Sequence, residues 1–187
     1  LFALSRLGLG ASAVSLLFIF LGVLIVIIQG GLIRTLSRRL GDGKLVLFGM
    51  VTLAVGLALI AFTPAQPAPG YDRARVVAEL TASKDPSAAE KLLVPLPTEG
   101  ATGLAGLGWI LIAFVPATLG GSILQPTINS LLTRRVDKSE TGGILGISAS
   151  LVSLANALGP LLAGAIFRYI SPTATLLFEG GLMAVLI

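Results

Sequence analysis

Residues Ser15–Ile33 read SLLFIFLGVLIVIIQGGLI and carry no charged side chain. The hydrocarbon core of a bilayer needs about 20 consecutive, mostly apolar residues in a helix. This stretch meets that length, as do residues 45–62, 104–132 and 144–170, and a fifth apolar stretch runs from 173 to 187. The sequence therefore predicts an all-α integral membrane protein with helices in these five ranges.

The overall composition excludes a soluble globular domain. The mean hydropathy is +0.96, and only 12% of residues are charged, whereas an ordinary soluble domain has about 25%. The chain contains no cysteine and no histidine, which removes thiolate metal sites and the commonest general base. We therefore expect no enzyme activity, no metal and no cofactor. We assign the formal charge of +4 to orientation in the membrane rather than to nucleic-acid binding.

The connections between the predicted helices differ in charge. Loops 34–44 and 133–141 hold seven of the thirteen basic residues and lie on the same side of the membrane. The positive-inside rule makes that side cytoplasmic and makes the long connection 63–103 an outer loop. Within it, residues 71–93 form either a short amphipathic helix or a mobile solvated loop, and the sequence leaves both interpretations open.

Amide side chains within the apolar stretches are candidate site residues, because polar groups are costly in lipid. Gln29 lies late in the first helix. Gln125 and Asn129 are four residues apart and share one face of the third helix, with Pro126 between them. Asn156 lies in the fourth helix. These four amides either line a cavity or form hydrogen bonds between helices.

The fourth helix carries a stripe of small residues spaced alternately four and three apart, which keeps them on one face. Such a face is chiefly a close-packing surface, and its proline predicts a kink. The stripe consists of Gly146, Ser150, Ser153, Ala157, Pro160 and Gly164, and Gly159 precedes the proline.

Glu179 is the one acidic residue placed within an apolar stretch. An intramembrane carboxylate suggests proton coupling. The competing interpretation is an ion pair with Arg168 near the membrane surface.

Three motifs follow one another with a characteristic order and spacing. The first is QGGLIR at 29–34, continued by SRRLG at 37–41 and by Lys44. The second is QPTINS at 125–130, followed by two arginines and by ETGGILG at 140–146. The third is SLANALGPLLAG at 153–164. Together they resemble the C-terminal half of a major facilitator superfamily transporter, of the drug:proton antiporter and tetracycline-efflux type.

The resemblance covers nearly the whole chain except residues 63–103. It implies that the five apolar stretches are helices 8–12 of a major-facilitator-type bundle and that residues 1–12 end helix 7, so the chain would be a piece truncated at both ends. The implied function is secondary active transport of small molecules by alternating access, as proton-coupled efflux of drug-like compounds. The implied surroundings are a lipid bilayer, in the plasma or bacterial inner membrane, and the N-terminal half of the same transporter.

The resemblance also assigns roles to residues. Gln29, Gln125, Asn129 and Asn156 would line the substrate cavity. A cytoplasmic gate would contain Gly31, Arg34, Arg38, Arg39 and Gly41. The three arginines would cap helix ends, pair with acids of the missing half or bind anionic lipid headgroups. The alternative is that they only orient the protein in the membrane, which is the interpretation we prefer for Lys44, Arg134 and Arg135.

Two features depart from the family pattern. Arg34 and Thr35 stand where the signature loop normally has an acidic residue, and the connection 63–103 is much longer than the usual outer loop. A metabolite or sugar symporter or uniporter of the same fold remains an alternative, because fold does not fix substrate. A receptor or assembly protein that does not transport is a further alternative.

Overall fold

The computed structural model describes residues 2–82, 96–97, 100, 102–170 and 172–185. All regular structure within these ranges is helical, which confirms the all-α prediction. A π-helical turn, Ile28–Leu32, joins the second helix to the third. The helices are α1 (Phe2–Leu7), α2 (Ala11–Ile27), α3 (Ile33–Leu40), α4 (Asp42–Ala61), α5 (Arg73–Ala82), α6 (Ala105–Thr133), α7 (Thr141–Tyr169) and α8 (Pro172–Val185).

Among the described residues, four helical segments are long and apolar enough to cross a membrane. They are Ala13–Leu40, Asp42–Ala61, Ala105–Thr133 and Thr141–Ile166. The apolar helix α8 is shorter. The chain is therefore a multi-pass helical membrane protein.

The first membrane segment extends further than the sequence suggested. Residues 34–40, predicted to lie in a loop, continue the helix through the π-turn. Arginine and leucine are good helix formers, so the charged residues do not end the helix. The chain reverses instead at Gly41, whose φ of +73° lies in the left-handed region that favours glycine.

The long connection between α4 and α6 contains the helix α5. Val76 and Leu80 are buried there and form a cluster with Leu4 of α1. Residues 73–82 thus form an amphipathic helix within the predicted range 71–93, and residues 83–93 lie outside the described part of the chain.

Helices α4 and α6 make a close backbone-to-backbone contact. A Cβ atom added to Gly56 would overlap the backbone nitrogen of Ala117, and one added to Gly120 would overlap the carbonyl oxygen of Gly49. Glycines at these positions let the two backbones touch. The pair α4–α6 is the centre of the described bundle.

Helix α8 packs on the other side of α4, where Gly180 approaches Ala54 and Leu57. Helix α7, in contrast, is exposed along 149–162. No described atom of another element lies within 4 Å of the Cβ position of its glycines at 146, 159 and 164. The predicted close-packing stripe therefore does not pack against the described part of this chain, and the helix runs through Pro160.

Candidate functional site

A groove lies between the π-turn and α6. Its volume is about 420 Å³, within the range of small-molecule sites. Three of the four predicted amides meet here, although Gln29 and Gln125 are almost a hundred residues apart in the chain. The lining consists of Gln29, Ile33, Gly121, Ser122, Gln125, Pro126 and Asn129.

The two amides of α6 bond to each other rather than to another helix. The side-chain N–H of Gln125 donates to the Asn129 carbonyl oxygen, with the two heavy atoms 3.4 Å apart. A carboxamide has two donor hydrogens and two acceptor lone pairs. This long bond uses one donor of Gln125 and one lone pair of Asn129, so both side chains keep capacity for a ligand.

The local backbone around these amides departs from a regular helix on both sides of the groove. Gln29 lies in the π-turn, next to Gly30 and Gly31. Short π-helical insertions are rare and frequently occur at functional sites. On the opposite wall, Pro126 lacks the N–H that would bond the carbonyl of Ser122. The groove therefore combines neutral hydrogen-bonding side chains with interrupted helix hydrogen bonding.

The remaining site candidates lie elsewhere. Asn156 is exposed on α7, and Glu179 is half-buried in α8. Neither lines the groove. The suggested ion pair between Glu179 and Arg168 lies outside the described side chains.

The basic end of the bundle forms a second concavity. Arg34, Thr35, Arg38 and Arg39 line an open space of about 660 Å³. The turn at Gly41 directly follows these residues and leads into α4. The three arginines of the predicted gate therefore lie on one face of a helix rather than in a loop.

Asp42 is a residue of this region that sequence reasoning missed. It is buried, at 8% exposure, although the basic end around it is largely exposed. Its Oδ1 accepts from the Ser37 hydroxyl at 2.7 Å, and its Oδ2 accepts from the Ser130 hydroxyl at 2.9 Å. Arg134 lies 3.3 Å from the same Oδ2. One carboxylate thus joins α3, α4 and α6 at their basic ends.

A sequence signal for this residue exists. Asp42 opens a helix between two glycines, and an acid in the first turn is favoured by the helix dipole. Its partners Ser130 and Arg134 are about ninety residues away, so only the fold identifies them. Arg134, interpreted from the sequence as a membrane-orienting charge, also pairs with Asp42.

Comparison with known proteins finds a distant similarity to a bacterial resistance protein. The chain is 22% identical to the tetracycline resistance protein, class C, of Escherichia coli over 167 residues. These residues are 89% of the chain and 32% of that protein, so the chain spans about a third of the relative's length. No family model matches the chain, and no solved structure matches it. The protein is therefore a multi-pass helical membrane protein that is distantly similar to part of a tetracycline resistance protein.

Proposed function

We propose that this chain is part of a secondary active transporter that moves small molecules across a membrane by alternating access. The observation that carries the proposal is the meeting of Gln29, Gln125 and Asn129 in one groove among apolar helices. Polar side chains in membrane helices tend to face a partner group or a water-filled cavity. Here the groove supplies the cavity.

The chemistry of the groove suits an uncharged polar substrate surface. The side chains that line it carry no formal charge, and amides both donate and accept hydrogen bonds. Hydroxyl, carbonyl and amide groups on an apolar body would fit such a lining. The distant similarity to a tetracycline resistance protein supports efflux of drug-like compounds as the direction and substrate class.

The proposal includes proton coupling and a partner domain. Glu179 is the coupling candidate of this chain, because it is a carboxylate within an apolar helix. Helix α7 exposes apolar and small residues along much of its length, which fits a contact with the N-terminal half of the same transporter. By the positive-inside rule, residues 34–44 and 133–141 would face the cytoplasm.

Transport by the full-length protein in liposomes tests the role of the groove. Efflux of a panel of lipophilic drugs is followed with and without an imposed pH gradient. We expect Gln125→Ala combined with Asn129→Ala to lower transport efficiency roughly tenfold, as the loss of one or two substrate hydrogen bonds would. Gln66→Ala is the matched control, because this amide lies beyond the opposite end of α4.

The outcomes separate the alternatives. Equal losses in the double variant and in Gln66→Ala would remove the groove from the substrate path. If no compound moves with or without the pH gradient, the drug-efflux proposal is wrong. The protein would then be a metabolite transporter or a non-transporting relative.

A separate variant tests coupling. Glu179→Gln keeps the size of the side chain and removes its titratable proton. If Glu179 carries the coupling proton, transport driven by the pH gradient should be lost while exchange of substrate without a gradient continues. Unchanged gradient-driven transport in Glu179→Gln would place the coupling acid elsewhere in the protein.

A further inference from the structure

The arginine face of α3 has a fixed direction. Arg34 and Arg38 are four residues apart, as are Thr35 and Arg39, so all four side chains share one broad face. The opposite face carries Ile33 and Leu36, which pack against the buried cluster of Ile28, Leu45 and Ile123. Because that apolar face is held by the core, the helix cannot rotate to hide its arginines.

The described part of the chain offers these arginines no counterion. Asp42 is the nearest acid in sequence, but its two oxygens already accept from Ser37 and Ser130 and pair with Arg134. Among the described residues, no carboxylate lies within ion-pair distance of the three arginines.

Helix-dipole stabilisation accounts for only part of the pattern. Cations stabilise the last turn of a helix, which covers Arg38 and Arg39. Arg34 lies a full turn earlier, in a helix that is continuous with the π-turn before it, so the dipole does not explain its charge. All three guanidinium groups nevertheless border one concavity.

We propose that Arg34, Arg38 and Arg39 bind a phosphate-bearing anion, either an anionic lipid headgroup or soluble phosphate. Guanidinium groups bind phosphate oxygens through paired N–H donors. The exposed apolar side chains of Leu32, at the end of the π-turn, and of Leu40, at the end of α3, place the concavity at the edge of an apolar surface. A headgroup whose acyl chains cover that surface fits this position. The inference is independent of the proposed transport.

Native mass spectrometry of the detergent-purified, full-length protein measures the binding. The protein is titrated with phosphatidylglycerol, with phosphatidylcholine and, in a separate arm, with inorganic phosphate. We expect phosphatidylglycerol to bind more tightly than phosphatidylcholine. Substituting the three arginines together by glutamine should weaken binding of the anion that the wild type prefers roughly 100-fold, at about a factor of five in affinity per basic residue.

Two further variants make the result specific. Replacing Lys44, Arg135 and Lys138 by glutamine removes the same charge from exposed positions at the same end and should leave binding unchanged. Replacing the three arginines by lysine keeps the charge and the membrane orientation but loses the paired donors, and it should weaken binding several-fold.

The lipid titrations and the inorganic-phosphate titration distinguish the two sources of the phosphate group. Preferential binding of phosphatidylglycerol that millimolar phosphate does not displace assigns the site to lipid. Arginine-dependent binding of inorganic phosphate without lipid preference assigns it to a soluble anion. Binding of neither, or equal binding by the wild type and the glutamine variant, overturns the proposal and indicates that another segment of the protein neutralises these arginines.

Discussion

At the scale of single residues, the removal of Asp42 tests what holds the basic ends of α3, α4 and α6 together. Asp42→Ala leaves the hydroxyls of Ser37 and Ser130 without their acceptor and should lower the free energy of unfolding by about 2–3 kcal/mol. The pair with Arg134 adds little, because that side chain is 70% exposed and exposed ion pairs are weak. Thermal unfolding of the purified protein in detergent measures the loss.

Two variants control this experiment. Asp137→Ala removes an exposed acid from the connection between α6 and α7 and should change stability by less than about 0.5 kcal/mol. Asp42→Asn keeps a hydrogen-bond acceptor and should fall between the two. Equal unfolding temperatures for Asp42→Ala and Asp137→Ala would show that the carboxylate does not hold the basic ends together.

At the scale of helices, the contact of α4 with α6 depends on glycine. Gly120→Ala should destabilise the protein by about 1–3 kcal/mol, because the new methyl group overlaps the backbone of Gly49 and Leu53. Gly108→Ala in the same helix is the matched control, since no described atom beyond its own stretch of helix lies within 4 Å of its Cβ position. Chemical unfolding of both variants in micelles compares the two sites.

The control substitution should change stability in the opposite direction to Gly120→Ala. Alanine has a higher helix propensity than glycine, by up to about 1 kcal/mol, so Gly108→Ala should be neutral or stabilising. If Gly120→Ala were also neutral or stabilising, the close approach of α4 and α6 would be wrong.

At the scale of the whole molecule, α8 connects the open helix α7 to the rest of the bundle. Helix α8 packs along α4, with Gly180 facing that contact, whereas no described atom of another helix lies within 4 Å of the Cβ position of Gly181. Cleavage at a protease site introduced into residues 134–140 should therefore leave the two fragments associated. Co-purification of a tagged N-terminal fragment with the C-terminal fragment measures this.

Substitution of the two neighbouring glycines identifies the contact. Gly180→Leu should separate the cleaved fragments, because the larger side chain collides with α4, whereas Gly181→Leu should not. Separation of the fragments in the unsubstituted protein would contradict the packing of α8 on α4.

Much of the candidate site could be predicted from the sequence, for a physical reason. An amide within an apolar stretch is conspicuous wherever the chain folds, because lipid penalises unpaired polar groups. Gln29, Gln125 and Asn129 were found in this way. The same reasoning selected Asn156, but this residue lies on α7, away from the groove. The sequence shows that burying its amide in lipid is unfavourable, but it does not show which residues lie beside it.

The extent of each helix was harder to predict at charged positions. Hydropathy placed the end of the first helix near Ile33, whereas the helix continues to Leu40. Hydropathy reports where lipid is tolerated, while helix propensity and the glycine turn at 41 decide where the backbone stops. The arginine face of α3 was therefore predicted as part of a loop.

The sequence by itself determined that the chain lies in lipid, that it is helical, and roughly where its membrane-spanning segments lie, because apolar length and composition act locally along the chain. Only the tertiary structure decided which helices touch, which amides share a groove, and that Asp42 rather than one of the arginines is the buried centre of the basic end. These depend on contacts between residues about ninety positions apart. Such contacts follow from backbone approach at Gly49, Gly56 and Gly120, which no local pattern specifies.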